Sequence, residues 1–272
     1  MNTRLKYNHT ILKAAKQAAE VQKNEFGKLI ESNKKENISN VVSKIDIKCD
    51  DLIVSILKKE FPEYNIISEE NGIIHKKSDY TWVVDPLDGT SNYISGIEWF
   101  GILIALFHKN KPVAAGAYLP ISESFYYAEH EKGAFLNNKK LSILDGKMNE
   151  MLFAFSTDYT NDLSYFEEGI EIYSYLVQNC RNVRSTNSLV DMMYVAENKL
   201  GGCVNLYTKL WDIAAPYLII TEAGGIFSGI KCNTIEFDLS QKGIRKNYGI
   251  IAANNMKNIN KIKFEAKKKI DK

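Results

Sequence analysis

The first quarter of the chain places apolar residues at helical spacing in two segments. Residues 10–32 carry aliphatic side chains three and four positions apart among charged ones, which predicts an amphipathic helix. Residues 46–60 repeat the pattern up to Phe61 and Pro62. Because proline disfavours helical backbone at the residue before it, the second helix is predicted to stop there. The lysine-rich residues 33–40 between the two segments predict a polar loop.

Short apolar runs follow in the middle of the chain. Residues 101–107, 113–118 and 125–128 are strand-like, and turn-forming residues separate each run from the next. Asn137 and Asn138 predict a turn, because asparagine tolerates positive φ, with strands over residues 134–136 and 141–143 on either side. This part of the chain therefore predicts neighbouring strands joined by tight turns.

Beyond residues 145 and 146, strands alternate with helices. Strands are predicted over residues 151–156, near 184 and over 203–207, and helices over 163–177, 189–197 and 212–223. Pro216 is expected in the first turn of the last helix, where a missing N–H is tolerated, and Gly224 with Gly225 marks its end. The change of pattern predicts an α+β half over residues 1–146 and an α/β half over residues 147–272.

Composition and charge narrow the function classes. The 272 residues include 35 basic and 33 acidic side chains, so the molecule lacks the field that a nucleic-acid partner needs. No apolar stretch approaches the roughly 20 residues that span a bilayer, and residues 1–10 are polar. We therefore expect a cytoplasmic protein with no membrane partner. The four cysteines are too scattered for a metal or redox motif and are expected to be reduced.

Residues 82–92 bring two carboxylates to the end of an apolar strand. The run closes on Asp85 and Pro86 fixes φ. Asp88 with Gly89 then reverses the chain, so both carboxylates face one point while nearby backbone amides turn outward. Magnesium prefers oxygen ligands and keeps open positions for phosphate, and exposed amides bind anions. The segment predicts a site for a cation and a phosphate, although such a sequence taken alone is more often a solvated turn.

Acidic residues elsewhere add to this site. Glu69 and Glu70 follow a short apolar strand, which alone indicates a solvent-exposed pair. Asp46 and Asp212 stand at the starts of predicted helices, where aspartate is a common cap. Their occurrence in one chain with residues 82–92 favours a shared metal site over these separate structural explanations.

Together these blocks resemble the inositol monophosphatase family. The chain carries, in the family's order, Ser-Lys-Ile-Asp ending at Asp46, Ser-Glu-Glu ending at Glu70, Asp-Pro-Leu-Asp-Gly-Thr ending at Thr90, and Trp-Asp ending at Asp212, followed by Glu-Ala-Gly-Gly. The resemblance implies an α+β and α/β fold layered as an α-β-α-β-α sandwich of the sugar-phosphatase type. It also implies magnesium-dependent hydrolysis of a small phosphate monoester, a homodimer, and sensitivity to lithium.

The resemblance assigns metal ligands position by position. One ion is implied at Glu69, Asp85 and the carbonyl of Leu87. A second is implied at Asp85, Asp88 and Asp212, so Asp85 bridges the two. Two or three Mg²⁺ ions are implied in all, and Mn²⁺ is expected to substitute for them.

The resemblance also implies catalytic and substrate-binding roles. Asp46 and Thr90 match the pair that orients and deprotonates the attacking water. The amides of Gly89 and Thr90 match the groups that hold the phosphate. The implied substrate contacts are Asp88, Asn205 and Asp212.

The second half departs from the family's pattern on the substrate side. Asn205 stands seven positions before Asp212, where inositol-specific members carry a glutamate. Residues 184–188 stand where the family usually has Gly-Ser/Thr-Ala, and they align only with a one-residue gap. The sequence therefore leaves several substrates open: inositol monophosphate, 3'-phosphoadenosine 5'-phosphate, histidinol phosphate and fructose bisphosphate. A partner-binding regulatory protein on the same fold is the non-enzymatic alternative, since one family branch associates with the transcription machinery.

Overall fold

The computed structural model describes residues 3–28, 32–34, 41–158, 163–231 and 234–267. Its helices are α1 (Thr3–Glu25), α2 (Lys44–Glu60), α3 (Thr90–Ile94), α4 (Leu163–Asn179), α5 (Leu189–Ala196), α6 (Leu210–Glu222) and α7 (Met256–Lys267). Its strands are β1 (Ser32–Lys34), β2 (Val41–Ser43), β3 (Asn65–Ser68), β4 (Gly72–Ile74), β5 (Tyr80–Asp88), β6 (Gly101–His108), β7 (Lys111–Leu119), β8 (Ser124–Glu129), β9 (Gly133–Leu136), β10 (Lys139–Lys140), β11 (Leu152–Ser156), β12 (Asn182–Arg184), β13 (Gly202–Thr208), β14 (Ile226–Gly229) and β15 (Tyr248–Ala253).

The strands of the described ranges form two large sheets and one small one. The first large sheet has eight strands in the order β10-β9-β8-β7-β6-β5-β3-β4, and the second has five in the order β12-β11-β13-β15-β14. In the first sheet only β3 and β5 run parallel, whereas β11 runs parallel to both of its neighbours in the second. Strands β1 and β2 pair separately.

Helices cover both faces of each large sheet. Helices α1 and α2 pack on the outer face of the eight-stranded sheet, α5 and α6 lie between the two sheets, and α4 and α7 cover the outer face of the five-stranded sheet. This arrangement confirms the layered α-β-α-β-α fold. Buried residues that represent the three helical layers are Ile11 and Cys49; Met193, Ile213 and Ile219; and Ile172 and Ile259.

Strand β5 carries the acidic segment out of the middle of the eight-stranded sheet. Trp82 and Val84 belong to the core under α1 and α2, whereas Val83 faces the core that contains α6. Because successive side chains of a strand point to opposite faces, a strand covered on both faces has a continuous apolar run. Asp85 follows this run and is itself buried.

Helix α1 is shifted from its predicted position. It spans Thr3–Glu25 and not residues 10–32. The helix stops there because Gly27 adopts a left-handed φ of 78°, and the ring of Phe26 packs on Tyr93 and Phe100. Residues 29–31 of the predicted helix lie outside the described residues, and residues 32–34 form β1. Residues 35–40 of the predicted loop also lie outside them.

Two further expectations need correction. Helix α6 begins at Leu210, so Pro216 lies in its interior and not in its first turn, and it supplies no N–H to the carbonyl four residues earlier. The turn at Asn137 and Asn138 is present, with φ of 46° and 68°. Its second strand is Lys139–Lys140 and not residues 141–143, because the amide of Ile143 already donates to the carbonyl of Ala223 after α6 at 2.7 Å and not to β9.

The expected boundary at residue 146 falls between the last strand of the first large sheet and the first strand of the second. The division of the chain into an α+β half and an α/β half at this boundary stays a prediction. Among the residues that the structure describes, no helix combines the length and apolar character needed to cross a membrane. Cys49, Cys180 and Cys203 are free thiols, and Cys232 lies outside the described residues.

Candidate metal centre

A β-bulge turns the acidic end of β5. Asp85 pairs with Leu103 and Asp88 with Gly101, so three steps along β5 match two steps along β6. A bulge re-aims side chains, and here it brings two aspartates to the same side. The amide of Leu87 donates to Asp85 Oδ1 at 3.0 Å. The buried Nε2 of Gln22 on α1 donates to the carbonyl of Pro86 at 2.8 Å, which fixes the bulge to the helical layer.

Gly89 connects the bulge to α3. Its φ of 87° lies in the left-handed region. A β-carbon at this position would stand 2.5 Å from the carbonyl oxygen of Trp99, and 3.2 Å from Ser188 Cβ. Glycine is therefore required for both conformation and space. The close packing places the first residue of α3, Thr90, beside the carboxylates.

Helix α2 supplies Asp46 from the opposite side. Ser43 is the N-cap of α2, and its amide donates to Asp46 Oδ2 at 2.8 Å. The second oxygen, Asp46 Oδ1, accepts from Thr90 Oγ1 at 2.8 Å. Asp46 thus belongs to the capping box of α2 and also contacts Thr90 at the cavity. Its role as a helix cap is therefore compatible with a role in the site.

Helix α6 supplies Asp212 from the junction of the second sheet. Strand β13 ends at Thr208 and α6 begins at Leu210, so Lys209 alone links them. The amide of Lys209 donates to Asp212 Oδ2 at 2.7 Å, which fixes the carboxylate in the first turn of the helix. An anion in this position is favoured by the helix dipole.

Three carboxylates converge at one point. One oxygen each of Asp85, Asp88 and Asp212 lies within 4.8 Å of the others. They line a cavity of about 130 Å³. Glu69 lies outside this tight group but lines the same cavity, and its amide donates to the carbonyl of Val84 on β5 at 3.2 Å. The complete lining is Glu69, Asp85, Leu87, Asp88, Gly89, Thr90, Ser91, Asp158, Asn187, Tyr207, Lys209, Trp211 and Asp212.

Enclosure by protein raises the pKa of these carboxylates. Burial raises the pKa of Asp85 well above its usual range, and the charges of Glu69, Asp88 and Asp212 raise it further. Asp88 and Asp212 retain some surface in the cavity. Removal from bulk water nevertheless raises each pKa to about 7, although the amides of Leu189 and Lys209 oppose the shift. The cluster therefore favours binding of a positive charge.

The donor set fits a hard divalent cation. All ligand atoms are carboxylate or carbonyl oxygens, which magnesium and manganese prefer over nitrogen or sulfur. The carboxylates are held by backbone amides in a geometry in which they repel one another, and a cation would remove that repulsion. The residues at the ends of β5 and β13 thus fit a divalent cation.

These pKa shifts predict how stability depends on pH in metal-free buffer. A carboxyl group whose pKa rises from about 4 to about 7 on folding binds more protons in the folded state between those values. The free energy of unfolding therefore falls as pH rises through this window. Thermal unfolding in EDTA at pH 4.5 to 8 measures the trend. Asp212→Asn should flatten it, and an equal slope in both proteins would contradict the assignment.

The structure brings together most residues singled out by sequence. Of the assigned set, only Asp46 and Asn205 do not line the cavity, and Asp46 reaches it through Thr90. Asn205 lies on β13, where its Oδ1 accepts from the amide of Tyr207 at 3.1 Å. Tyr207 does line the cavity, so Asn205 contacts the backbone of a lining residue without lining the cavity itself.

Sequence reasoning missed several lining residues. Asp158 follows β11 by two positions, a strand-then-acid order similar to that of Glu69 after β3. This signal was available in the sequence. Asn187 lies in the stretch that does not align with the family's pattern. Nothing in the sequence indicated that Lys209 and Tyr207 line the cavity, since lysine and tyrosine are common on protein surfaces.

Comparison with known proteins places the chain. The model of the inositol monophosphatase family matches residues 6–266. A fructose-1,6-bisphosphatase/inositol-1-monophosphatase of Aquifex aeolicus is 32% identical over 231 residues, which cover 82% of this chain and 85% of the relative. The Nus factor SuhB of Vibrio cholerae is 32% identical over 247 residues, covering 86% and 90%.

A solved structure agrees with this placement. The extragenic suppressor protein suhB of Bartonella henselae superposes with a TM-score of 0.85 at 25% identity, covering 97% of this chain and 99% of that one. The match extends through both large sheets and the helical layers. With the family model matched over nearly the whole sequence, this chain belongs to the inositol monophosphatase family.

Proposed function

We propose that this protein hydrolyses a small phosphate monoester in a magnesium-dependent reaction, as an inositol monophosphatase does. The observation that carries the proposal is the convergence of Asp85, Asp88 and Asp212 within 4.8 Å beside the start of α3. Family membership supports the same reaction class. Magnesium, when bound, supplies positive charge that stabilises the phosphate and the leaving alkoxide.

The ligands divide between two ions. We assign Glu69, Asp85 and the carbonyl of Leu87 to one ion, and Asp85, Asp88 and Asp212 to the other. Asp85, the most deeply buried of these acids, would contribute to holding both ions. A third ion beside Glu69 remains part of the proposal, with Mn²⁺ as a substitute for Mg²⁺.

Asp46 and Thr90 act on the attacking water. The Thr90 hydroxyl has one proton, and it donates it in a hydrogen bond to the charged oxygen of Asp46 at 2.8 Å in preference to the Leu87 carbonyl at 3.0 Å. The hydroxyl's lone pairs are then able to accept a hydrogen bond from the attacking water. As the water oxygen bonds to phosphorus and the bond to the alcohol oxygen breaks, the water passes one proton to Thr90 while Thr90 passes its own proton to Asp46. The alkoxide takes a proton from solvent, and Asp46 returns its proton to solvent. The amides of Gly89 and Thr90 hold the phosphate.

The substrate side of the proposal involves Asp88, Asp212 and Asn205. We assign Asp88 and Asp212 to contacts with hydroxyl groups of the leaving alcohol beside the proposed metal ions. Asn205 acts indirectly, since its side chain holds the backbone of Tyr207 and not the cavity itself. A specificity change through Asn205 is therefore expected to be small.

Replacement of Thr90 tests the proton path. Thr90→Ala is expected to lower kcat by about a hundredfold, because positioned proton transfer contributes on this scale. Metal affinity should stay within a few-fold, since the side chain holds no ion. Thr90→Ser retains the hydroxyl and serves as the matched control that keeps most activity. Steady-state kinetics and a magnesium titration of the unfolding temperature measure both quantities. Loss of metal binding in Thr90→Ala would contradict the assigned role.

A substrate panel tests the reaction itself. Phosphate release is measured with inositol 1-phosphate, 3'-phosphoadenosine 5'-phosphate, histidinol phosphate and fructose 1,6-bisphosphate, each with Mg²⁺ or Mn²⁺. Turnover that disappears with EDTA is the expected result. A folded protein that releases phosphate from none of these, nor from phenyl phosphate, would remove the enzyme assignment.

A partner-binding role is the second candidate. One relative is a Nus factor by name, and the match extends across most of both chains. The two functions are separated by capturing protein partners with the tagged unsubstituted protein and with tagged Asp85→Asn, and by measuring phosphate release for both. A specific partner retained by both proteins, with no turnover of any monoester by either, would favour the binding role.

A further inference from the structure

One acidic residue of the cavity has no role in the proposed function. Asp158 lines the cavity together with Tyr207 and Lys209. Like Glu69 it lies outside the group of three carboxylates within 4.8 Å, but unlike Glu69 it is not assigned to a metal ion. It comes two residues after β11, in the second half of the chain. The metal ligands Glu69, Asp85 and the carbonyl of Leu87 all come from the first half. Asp158 therefore reaches the cavity from a different part of the chain than these three ligands.

Asp158 is held in place by a built network. Asn187 Nδ2 donates to Asp158 Oδ1 at 2.9 Å. The neighbouring amide, that of Thr186, donates to Asp191 Oδ2 at 3.2 Å, and the same oxygen accepts from Ser156 Oγ at 2.9 Å. Asp191 is 5% exposed. The buried carboxylate of Asp191 thus connects the end of β11 to the stretch before α5. These contacts and the bond from Asn187 fix the position of Asp158.

The same stretch connects Asp158 to the metal cluster. Ser188 caps α5, and the amide of Leu189 donates to Asp88 at 2.5 Å. The charge of Asp158 also raises the pKa of Asp88 and Asp212, so the three carboxylates are close enough to interact. A group bound in the cavity would therefore lie near the Asp158 carboxylate as well as near the metal ligands.

Asp158 has hydrogen-bonding capacity directed at such a group. An ionised carboxylate accepts at about four lone-pair positions and donates none, and the bond from Asn187 uses one of them. Burial raises the pKa of Asp158, and the hydrogen bond from Asn187 opposes that shift. In its ionised form Asp158 contributes a negative charge to the wall of the cavity. Hydroxyl and ammonium groups are attracted to that charge, whereas a second phosphate is repelled by it.

We propose that Asp158 selects the alcohol of the substrate: it favours monoesters whose leaving alcohol presents hydroxyl or ammonium donors, and it disfavours alcohols that carry a second phosphate. The inference rests on the proposed phosphatase function and narrows its substrate class. Among the four substrates left open by sequence, it favours inositol 1-phosphate and histidinol phosphate over fructose 1,6-bisphosphate and 3'-phosphoadenosine 5'-phosphate.

Asp158→Asn tests the proposal, because it removes the charge and keeps the shape. Asp79→Asn is the matched control: Asp79 is exposed just before β5 begins, at the strand end remote from the metal ligands. For each protein, kcat/KM is measured on the four substrates and divided by the value on phenyl phosphate, whose alcohol has neither donors nor a second phosphate. In Asp158→Asn the ratio should rise about tenfold for the two bisphosphorylated substrates, where repulsion of the second phosphate outweighs the hydroxyl contacts, and fall about threefold to tenfold for inositol 1-phosphate and histidinol phosphate.

The pattern across substrates separates selection from a structural effect. A decrease on inositol 1-phosphate identifies hydroxyl recognition, and a decrease on histidinol phosphate identifies ammonium recognition. Asn187→Gly, which removes the anchor and tolerates the φ of 51° at this position, should shift the ratios in the same directions by less, and it replaces Asp158→Asn if that variant unfolds. Ratios equal to those of Asp79→Asn, or an unsubstituted enzyme that prefers a bisphosphorylated substrate, would overturn the inference while phenyl phosphate turnover upholds the phosphatase. Absence of turnover on every substrate would remove both.

Discussion

Asp85→Asn is expected to lower kcat by more than about a thousandfold and yet to raise the unfolding temperature in metal-free buffer. Turnover falls because Asp85 is the residue assigned to both ions. Stability rises because the buried carboxylate is destabilised first by loss of water and then by the charges of Glu69, Asp88 and Asp212. Asparagine keeps the oxygen that accepts from the Leu87 amide, so the bulge retains its internal hydrogen bond.

Magnesium should reverse the order of stability. At a concentration 100 times its dissociation constant, a ligand of the folded state adds about 2.7 kcal/mol, which for a chain of this size raises the unfolding temperature by about 5 °C. The unsubstituted protein is expected to show this rise and Asp85→Asn to show little of it. Thermal unfolding with EDTA and with increasing Mg²⁺ measures both effects.

Asp79→Asn again provides the control, since it changes the same charge next to the same strand. It should behave as the unsubstituted protein in turnover and in its response to magnesium. If Asp85→Asn instead unfolds at a lower temperature without metal, the carboxylate has a structural role that outweighs the repulsion. If it keeps turnover, the bridging assignment is wrong.

The part of the site formed by residues 85–90 could be predicted from the sequence because its geometry is local. Asp85, Leu87, Asp88, Gly89 and Thr90 lie within six consecutive residues, and a strand, a bulge and a glycine suffice to gather them. The layered fold was predictable for a related reason, because strand and helix periodicities identified most elements and the resemblance supplied their order.

The substrate side of the site could not be predicted from the sequence, because its geometry depends on contacts between distant segments. Asp158 and Asn187 meet only because Asp191 ties the end of β11 to the start of α5. No spacing in the sequence records that contact. Asn205, to which the resemblance gave a substrate contact, does not line the cavity, and its side chain accepts from the amide of Tyr207 at the irregular part of β13. The end of α1 was misplaced because the packing of Phe26 decides it, and helical spacing does not reveal this contact.

Gly89→Ala is expected to unfold several degrees below the unsubstituted protein and to lose more than about a hundredfold in kcat/KM. The alanine β-carbon would stand 2.5 Å from the carbonyl oxygen of Trp99, closer than real contacts allow, so backbone must move. The left-handed φ of 87° adds about 1 to 2 kcal/mol for any side chain, and crowding adds about 1 to 3 kcal/mol. A displacement of about 1 Å at the start of α3 suffices for the kinetic loss, because phosphate binding depends on the position of its amides.

Gly96→Ala is the matched control for this prediction. Gly96 follows the other end of α3, has a left-handed φ of 74°, and has nothing within 4 Å of an added β-carbon. It should show the conformational cost alone, a decrease of a few degrees, with near-normal turnover. The difference between the two variants then isolates the close approach at residue 89. Equal activity in the two would mean that the phosphate-binding position tolerates the shift, and that the space left by Gly89 is not a requirement of the reaction.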